Sequence, residues 1–115
     1  MAACMLRRLV LAWMVALLVG AAPLAQTPED TRKAAEQGRA TSQLTLGVAY
    51  ATGEGVPQDN VEAYKWLNLA TTYADASERE QNAEVRDTVA ERLTPEQRTE
   101  GQKLSREWDA AHPPD

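Results

Sequence analysis

The chain has 115 residues, 43% hydrophobic and 25% charged, and a net charge of −5. Those totals bound it to one small globular domain and leave no basic patch for nucleic acid or an anionic membrane surface. Phenylalanine is absent and Cys4 is the single cysteine, so a disulfide framework within the chain is excluded.

The first element is a leader. Arg7 and Arg8 precede Leu9–Val19, an uncharged apolar run of 11 residues, and the small residues Ala21, Ala22 and Ala25 follow. That is the three-part layout of a secretory signal peptide. Residues 1–25 are therefore expected to be removed on export, with the cut after Ala25, Ala22 or Ala21. The alternative is an uncleaved anchor facing the periplasm. Leu9–Ala25 spans 17 residues, with Gly20 and Pro23 near its end, at the bottom of the roughly 17–25 needed to cross a bilayer. The paired arginines lack the surrounding pattern of a twin-arginine signal. Removing Arg7 and Arg8 from the 12 basic residues leaves ten against 17 acidic ones, a balance near −7. Cys4 leaves as well, so the exported chain holds together by packing alone.

The mature chain reads as helices. Thr27 is a plausible N-cap, with Pro28 at the first helical position and Glu29 and Asp30 in the first turn. This predicts a short helix over about Pro28–Gln37, stopped by Gly38. A second helix is expected from Arg39 or Thr41 to Ala51, with Leu44, Gly47, Val48 and Ala51 on one face and Leu46, Ala49 and Tyr50 on another. An element apolar on two sides must touch two neighbours. Gly47 in its middle, where glycine costs up to about 1 kcal/mol against alanine, marks a place where another helix comes close.

Beyond Gly53, Asp59 and Glu62 have the spacing of a capping box. The stripe Ala63, Trp66, Leu67, Ala70, Tyr73 and Ala74 then marks a third helix. Residues 75–93 predict a fourth, with Ala83, Val85, Val89, Ala90 and Leu93 inward. Thr94, Pro95 and Gln97 repeat the start signals, opening a fifth whose inner stripe is Gly101, Leu104 and Trp108. His112 onwards is a tail. No segment alternates as a strand does, so the fold class is all-α.

Few residues offer chemistry. Gly53-Glu54-Gly55 lacks the lysine and hydroxyl of a phosphate loop and any preceding strand. His112 is the one histidine and reads as a solvated tail residue, with no second ligand for a metal. Glu78, Glu80, Glu84 and Asp87 could form an acid/base pair, but Arg79 and Arg86 among them point to a solvated helix face. No calcium loop is present. No catalytic, cofactor-binding or metal residue is therefore assigned.

One pattern is specific. Residues Leu46-Gly47-x-x-Tyr50-x-x-Gly53-x-Gly55-Val56-x-x-Asp59-x-x-x-Ala63-x-x-Trp66-x-x-x-Ala70 closely resemble the Sel-one-like repeat, a relative of the tetratricopeptide repeat. The resemblance implies a short α/α helical-hairpin solenoid. The full repeat falls at about 39–74, after a partial repeat at 28–38. Residues 77–109 lack the glycine turn and read as a degenerate closing hairpin. Proteins of this family generally bind other proteins and assemble complexes, and several bacterial examples are exported. The expected function is a non-enzymatic adaptor in the periplasm or cell envelope, with another protein as partner, no cofactor, and membrane contact only during export. The repeat pattern assigns Tyr50 and Trp66 to packing. Candidate partner-facing residues are Thr41 and Thr45, on the first helix of the repeat where a groove is expected, and Tyr64 and Tyr73, read as surface aromatics. A self-associating subunit and a carboxylate-based hydrolase are the competing classes.

Overall fold

The computed structural model describes residues 27–114. The expected leader, its apolar run and Cys4 lie outside the described residues. Among those described, the chain forms five helices and no strand. They are α1 Pro28–Glu36, α2 Ala40–Thr52, α3 Asn60–Tyr73, α4 Ala76–Ala90 and α5 Pro95–Ala111. The all-α expectation holds for this part of the chain, and none of these helices is long and apolar enough to cross a membrane.

The helix ends follow the local chemistry. Thr27 Oγ1 accepts the Asp30 N–H at 3.2 Å, and Pro28 opens α1. Gly38, at φ +85°, reverses the chain: its N–H donates to Ala35 O at 3.0 Å and the Arg39 N–H to Ala34 O at 3.2 Å. Those two bonds form a Schellman motif. Gly53 ends α2, its N–H donating to Ala49 O at 2.7 Å. The next two carbonyls of α2 are met from the following turn. The Asp59 N–H donates to Tyr50 O at 2.9 Å, and Gln58 Nε2 donates to Ala51 O at 3.0 Å.

That pairing alters one expectation. Asp59 Oδ1 caps α3, accepting from the Val61 and Glu62 N–H groups at 3.0 and 3.1 Å. The reciprocal bond of a full capping box is not made, because the Asp59 N–H is already given to Tyr50 O. The complete box is at α5, where Thr94 and Gln97 exchange bonds of 3.2 and 2.9 Å.

Helix α3 is the centre of the packing. It lies against α2, α4 and α5, while α1 packs on α2. Three neighbours bury it nearly all round: Ala63, Tyr64, Trp66, Leu67, Leu69 and Ala70 are all withdrawn from solvent. Gly47 sits in the α2–α3 crossing, where a Cβ would stand 2.8 Å from Leu67 Cδ2 and 3.3 Å from Ala63 O. The glycine is the notch that lets the two backbones meet, as its cost within a helix suggested.

Residues 77–109 depart from the expected closing hairpin. Helices α4 and α5 both pack on α3 and do not pack along one another. Val89 of α4 and Leu93, in the turn just after it, join Ala51, Ala63 and Leu67 in one apolar cluster, and buried Asn82 donates to Ala70 O at 3.2 Å. On α5, Gly101 meets Tyr64, and Ser105 Oγ donates to Lys65 O at 3.1 Å. Near their connection Arg98 Nε donates to Ala90 O at 2.9 Å. Each helix has its own seat on α3, so neither needs the other to cover its apolar stripe.

Candidate functional site

Two concavities stand out, on different sets of helices. The first is an apolar groove of about 430 Å³ where α1, α2 and the glycine turn meet. Pro28, Leu44, Thr45, Val48 and Val56 line it, and Glu54 stands at the same groove. Val48 is 39% exposed, the one large hydrophobic among the described residues that is open to this degree. The face expected to bury Val48 with Gly47 and Ala51 is therefore split: Gly47 and Ala51 turn to α3, and Val48 to solvent.

Thr45 lies in this groove, and its hydroxyl donates to Thr41 O at 3.0 Å. A hydroxyl tied back to its own helix keeps only acceptor capacity for a ligand. Thr41 is also exposed but is not among the lining residues.

The second concavity, about 340 Å³, lies among α1, α3 and α5 and is polar and aromatic. Arg32 and Lys65 face Glu36 and Glu62 there, so its charges are balanced from within. Arg32 Nη2 donates to Tyr50 Oη at 2.5 Å, Lys65 pairs with Glu62 at 3.7 Å, and Lys65 Nζ lies 4.6 Å from the Trp66 ring centre. Trp108 organises the wall. Its ring meets Trp66 and Tyr73 edge-on, both at 6.0 Å between centroids, and stacks on His112 at 4.0 Å.

Two sequence expectations change here. His112 is exposed, yet it does not trail free: besides the stacking, its Nδ1 lies 2.7 Å from Trp108 O. A residue four positions after a tryptophan on a helix falls on the same face, a signal that could have found this contact. Tyr64 is not a surface aromatic. It is 7% exposed, lies against Gly101, and its hydroxyl accepts from Gln102 Nε2 at 3.4 Å. The stripe on α3 accounted for one neighbour only, whereas α5 covers the side where Tyr64 stands.

Tyr73 lines a third concavity of about 350 Å³, beside Pro113 and Pro114, which shares Glu36, Trp108 and His112 with the second. Its hydroxyl donates to Asp109 Oδ1. That hydrogen bond first, then burial and the carboxylate's negative charge, raise the phenol above its ordinary value of 10.0. The structure thus separates the four expected partner-facing residues: Thr45 lines the apolar groove, Thr41 stands outside it, Tyr73 lines the third concavity, and Tyr64 is core.

The acidic residues of α4 give no convergent set. Glu78, Glu80, Glu84 and Asp87 are all exposed, Asp87 is 3.1 Å from Arg86, and none lines either concavity. Among the described residues no three histidine, cysteine, aspartate or glutamate side chains converge as metal ligands. No protein-family model matches the chain, and no curated protein matches it.

Proposed function

We propose that this chain is a non-enzymatic adaptor of Sel-one-like repeat type that holds an apolar segment of another protein in the α1–α2 groove. The carrying observation is the groove itself: about 430 Å³, mostly apolar, with Val48 open to solvent at its wall. An exposed apolar concavity of this kind gains free energy when a partner removes it from water.

The repeat reading is supported by what its motif residues do. Gly47 seats against Leu67, Gly53 and Gly55 adopt φ +78° and +76° in the turn, Asp59 caps α3, and Ala63 and Trp66 are buried. In this reading α2 and α3 are the full unit and α1 closes the preceding one. Helices α4 and α5 are terminal elements that have given up the hairpin. Export by residues 1–25 would put the adaptor in the periplasm or cell envelope, with no cofactor. A carboxylate hydrolase is disfavoured because the α4 carboxylates line neither concavity.

The test is capture of a partner from envelope extracts by the processed chain, with Val48→Asp and Thr45→Glu as paired variants. Both positions are exposed, so thermal stability should be kept while capture is lost. Capture that survives both substitutions would rule the groove out. A concentration-dependent dimer abolished by Val48→Asp would assign the groove to a second copy instead.

A further inference from the structure

We propose that the cleft among α1, α3 and α5 binds a small zwitterion with an apolar side chain, of the class of a free α-amino acid. Arg32 takes its carboxylate, Glu36 its ammonium, and the indoles of Trp66 and Trp108 its side chain. The site is separate from the α1–α2 groove and does not depend on the adaptor reading.

The charges of the cleft point to this ligand. Arg32 and Lys65 line it together with Glu36 and Glu62, so it favours neither a simple anion nor a simple cation. Lys65 and Glu62 are engaged with each other at 3.7 Å, and Lys65 Nζ also lies 4.6 Å from the Trp66 ring centre. Arg32 and Glu36 form no ion pair among the described residues, although both are exposed on α1 at i and i+4. Side chains at that spacing are neighbours, with Cβ atoms about 5–6 Å apart, but cation before anion is the weaker order for a pair. The guanidinium is given instead to Tyr50 Oη, at 2.5 Å. That bond ties Arg32 to α2 and leaves its other N–H donors and the Glu36 carboxylate open. A carboxylate and an ammonium that branch from one carbon fit a cation and an anion one helical turn apart.

The apolar wall comes from α3 and α5. Trp66 is buried, Trp108 meets it edge-on at 6.0 Å, and His112 stacks on Trp108 at 4.0 Å. His112 is itself held, with Nδ1 2.7 Å from Trp108 O. Both indoles are thus fixed before a ligand arrives, which lowers the entropy lost on binding. The volume of about 340 Å³ is at the small end of the roughly 300–1,000 Å³ of ligand sites, which suits a single amino acid. Helix α1 packs on α2, and a ligand held in this way also joins it to α3 and α5.

Calorimetric titration of the full-length chain tests this with three probes. They are L-phenylalanine, N-acetyl-L-phenylalanine, which lacks the ammonium, and L-phenylalanine amide, which lacks the carboxylate. L-Phenylalanine should bind at about millimolar concentration. Each analogue should bind about fivefold more weakly, the worth of one exposed ionic contact. Glu36→Gln should weaken L-phenylalanine and the amide about fivefold and leave the N-acetyl compound unchanged. Arg32→Gln should weaken L-phenylalanine and the N-acetyl compound and leave the amide unchanged. Both positions are exposed, so the melting temperature should be kept; the comparison of probes on the native chain stands even if a variant does not fold. Variants that weaken all three probes alike would overturn the proposal, since they would only have disturbed the cleft. So would equal affinity of the native chain for the three probes, or no binding of L-phenylalanine at about 10 mM.

Discussion

Gly101 of α5 and the Tyr64 ring of α3 are in direct contact: a Cβ on Gly101 would stand 2.6 Å from Tyr64 Cδ1. The aromatic ring takes the space that any other residue on α5 would use. Glycine within a helix costs up to about 1 kcal/mol against alanine, and this contact is what that cost supports. Gly101→Leu should lower stability by about 1–3 kcal/mol through overpacking. The measurement is the urea midpoint, alone and with Tyr64→Ala. If the two changes couple, the double variant will be more stable than the sum of the singles predicts. Strict additivity would mean that α5 does not meet Tyr64 in solution.

The α2–α3 crossing makes a second case. At Gly47 the neighbours are Leu67 Cγ and Cδ2, both 2.8 Å from an added Cβ, and the Ala63 carbonyl at 3.3 Å. A leucine side chain can rotate, but Leu67 is fully buried and the carbonyl is backbone. Gly47→Leu should therefore destabilise by about 1–3 kcal/mol, with an unchanged melting temperature as the contrary result.

Alkaline pH should loosen the contact between the ends of α3 and α5. The Tyr73 phenol keeps its proton in the folded chain above the pH at which it would lose it unfolded, mainly because it donates to Asp109. Its contribution is complete below pH 10.0 and is lost as pH rises through the raised folded value. Comparing denaturation midpoints of the native chain and Tyr73→Phe isolates this effect from other alkaline titrations. The gap between them should shrink as pH climbs past 10, and a constant gap would show that the pair is not formed. The effect is small, because the hydrogen-bonded pair itself is open to solvent.

The helices were legible because their ends carry local signals. Thr27, Pro28, Gly38, Gly53, Asp59 and the Thr94–Gln97 pair each act within a few residues of the chain, and each is found in a capping or turning role. Gly47 was legible for a related reason, since a residue unfavourable in a helix needs a contact to explain it. Asn82 was not. A polar residue on a charged helix reads as solvated, and only the approach of α4 to Ala70 O makes it buried.

The site was legible in part. Thr45 and Thr41 were paired from the repeat pattern, but only Thr45 lines the apolar concavity between α1 and α2. Val48 was assigned to the buried face because helical periodicity gives the direction of a side chain but not what stands opposite. Tyr64 failed for the converse reason, as an element 37 residues later covers it.

The sequence by itself determined where the helices begin and end and that Gly47 marks a close approach. Those properties depend on bonds and conformations within one turn or on residue type. Only the tertiary structure decided that α4 and α5 each pack on α3 rather than on one another, that Tyr64 is core, that His112 stacks on Trp108, and that Val48 opens into a groove. An amphipathic pattern states that a face must be covered; which helix covers it depends on steric fit across the whole domain.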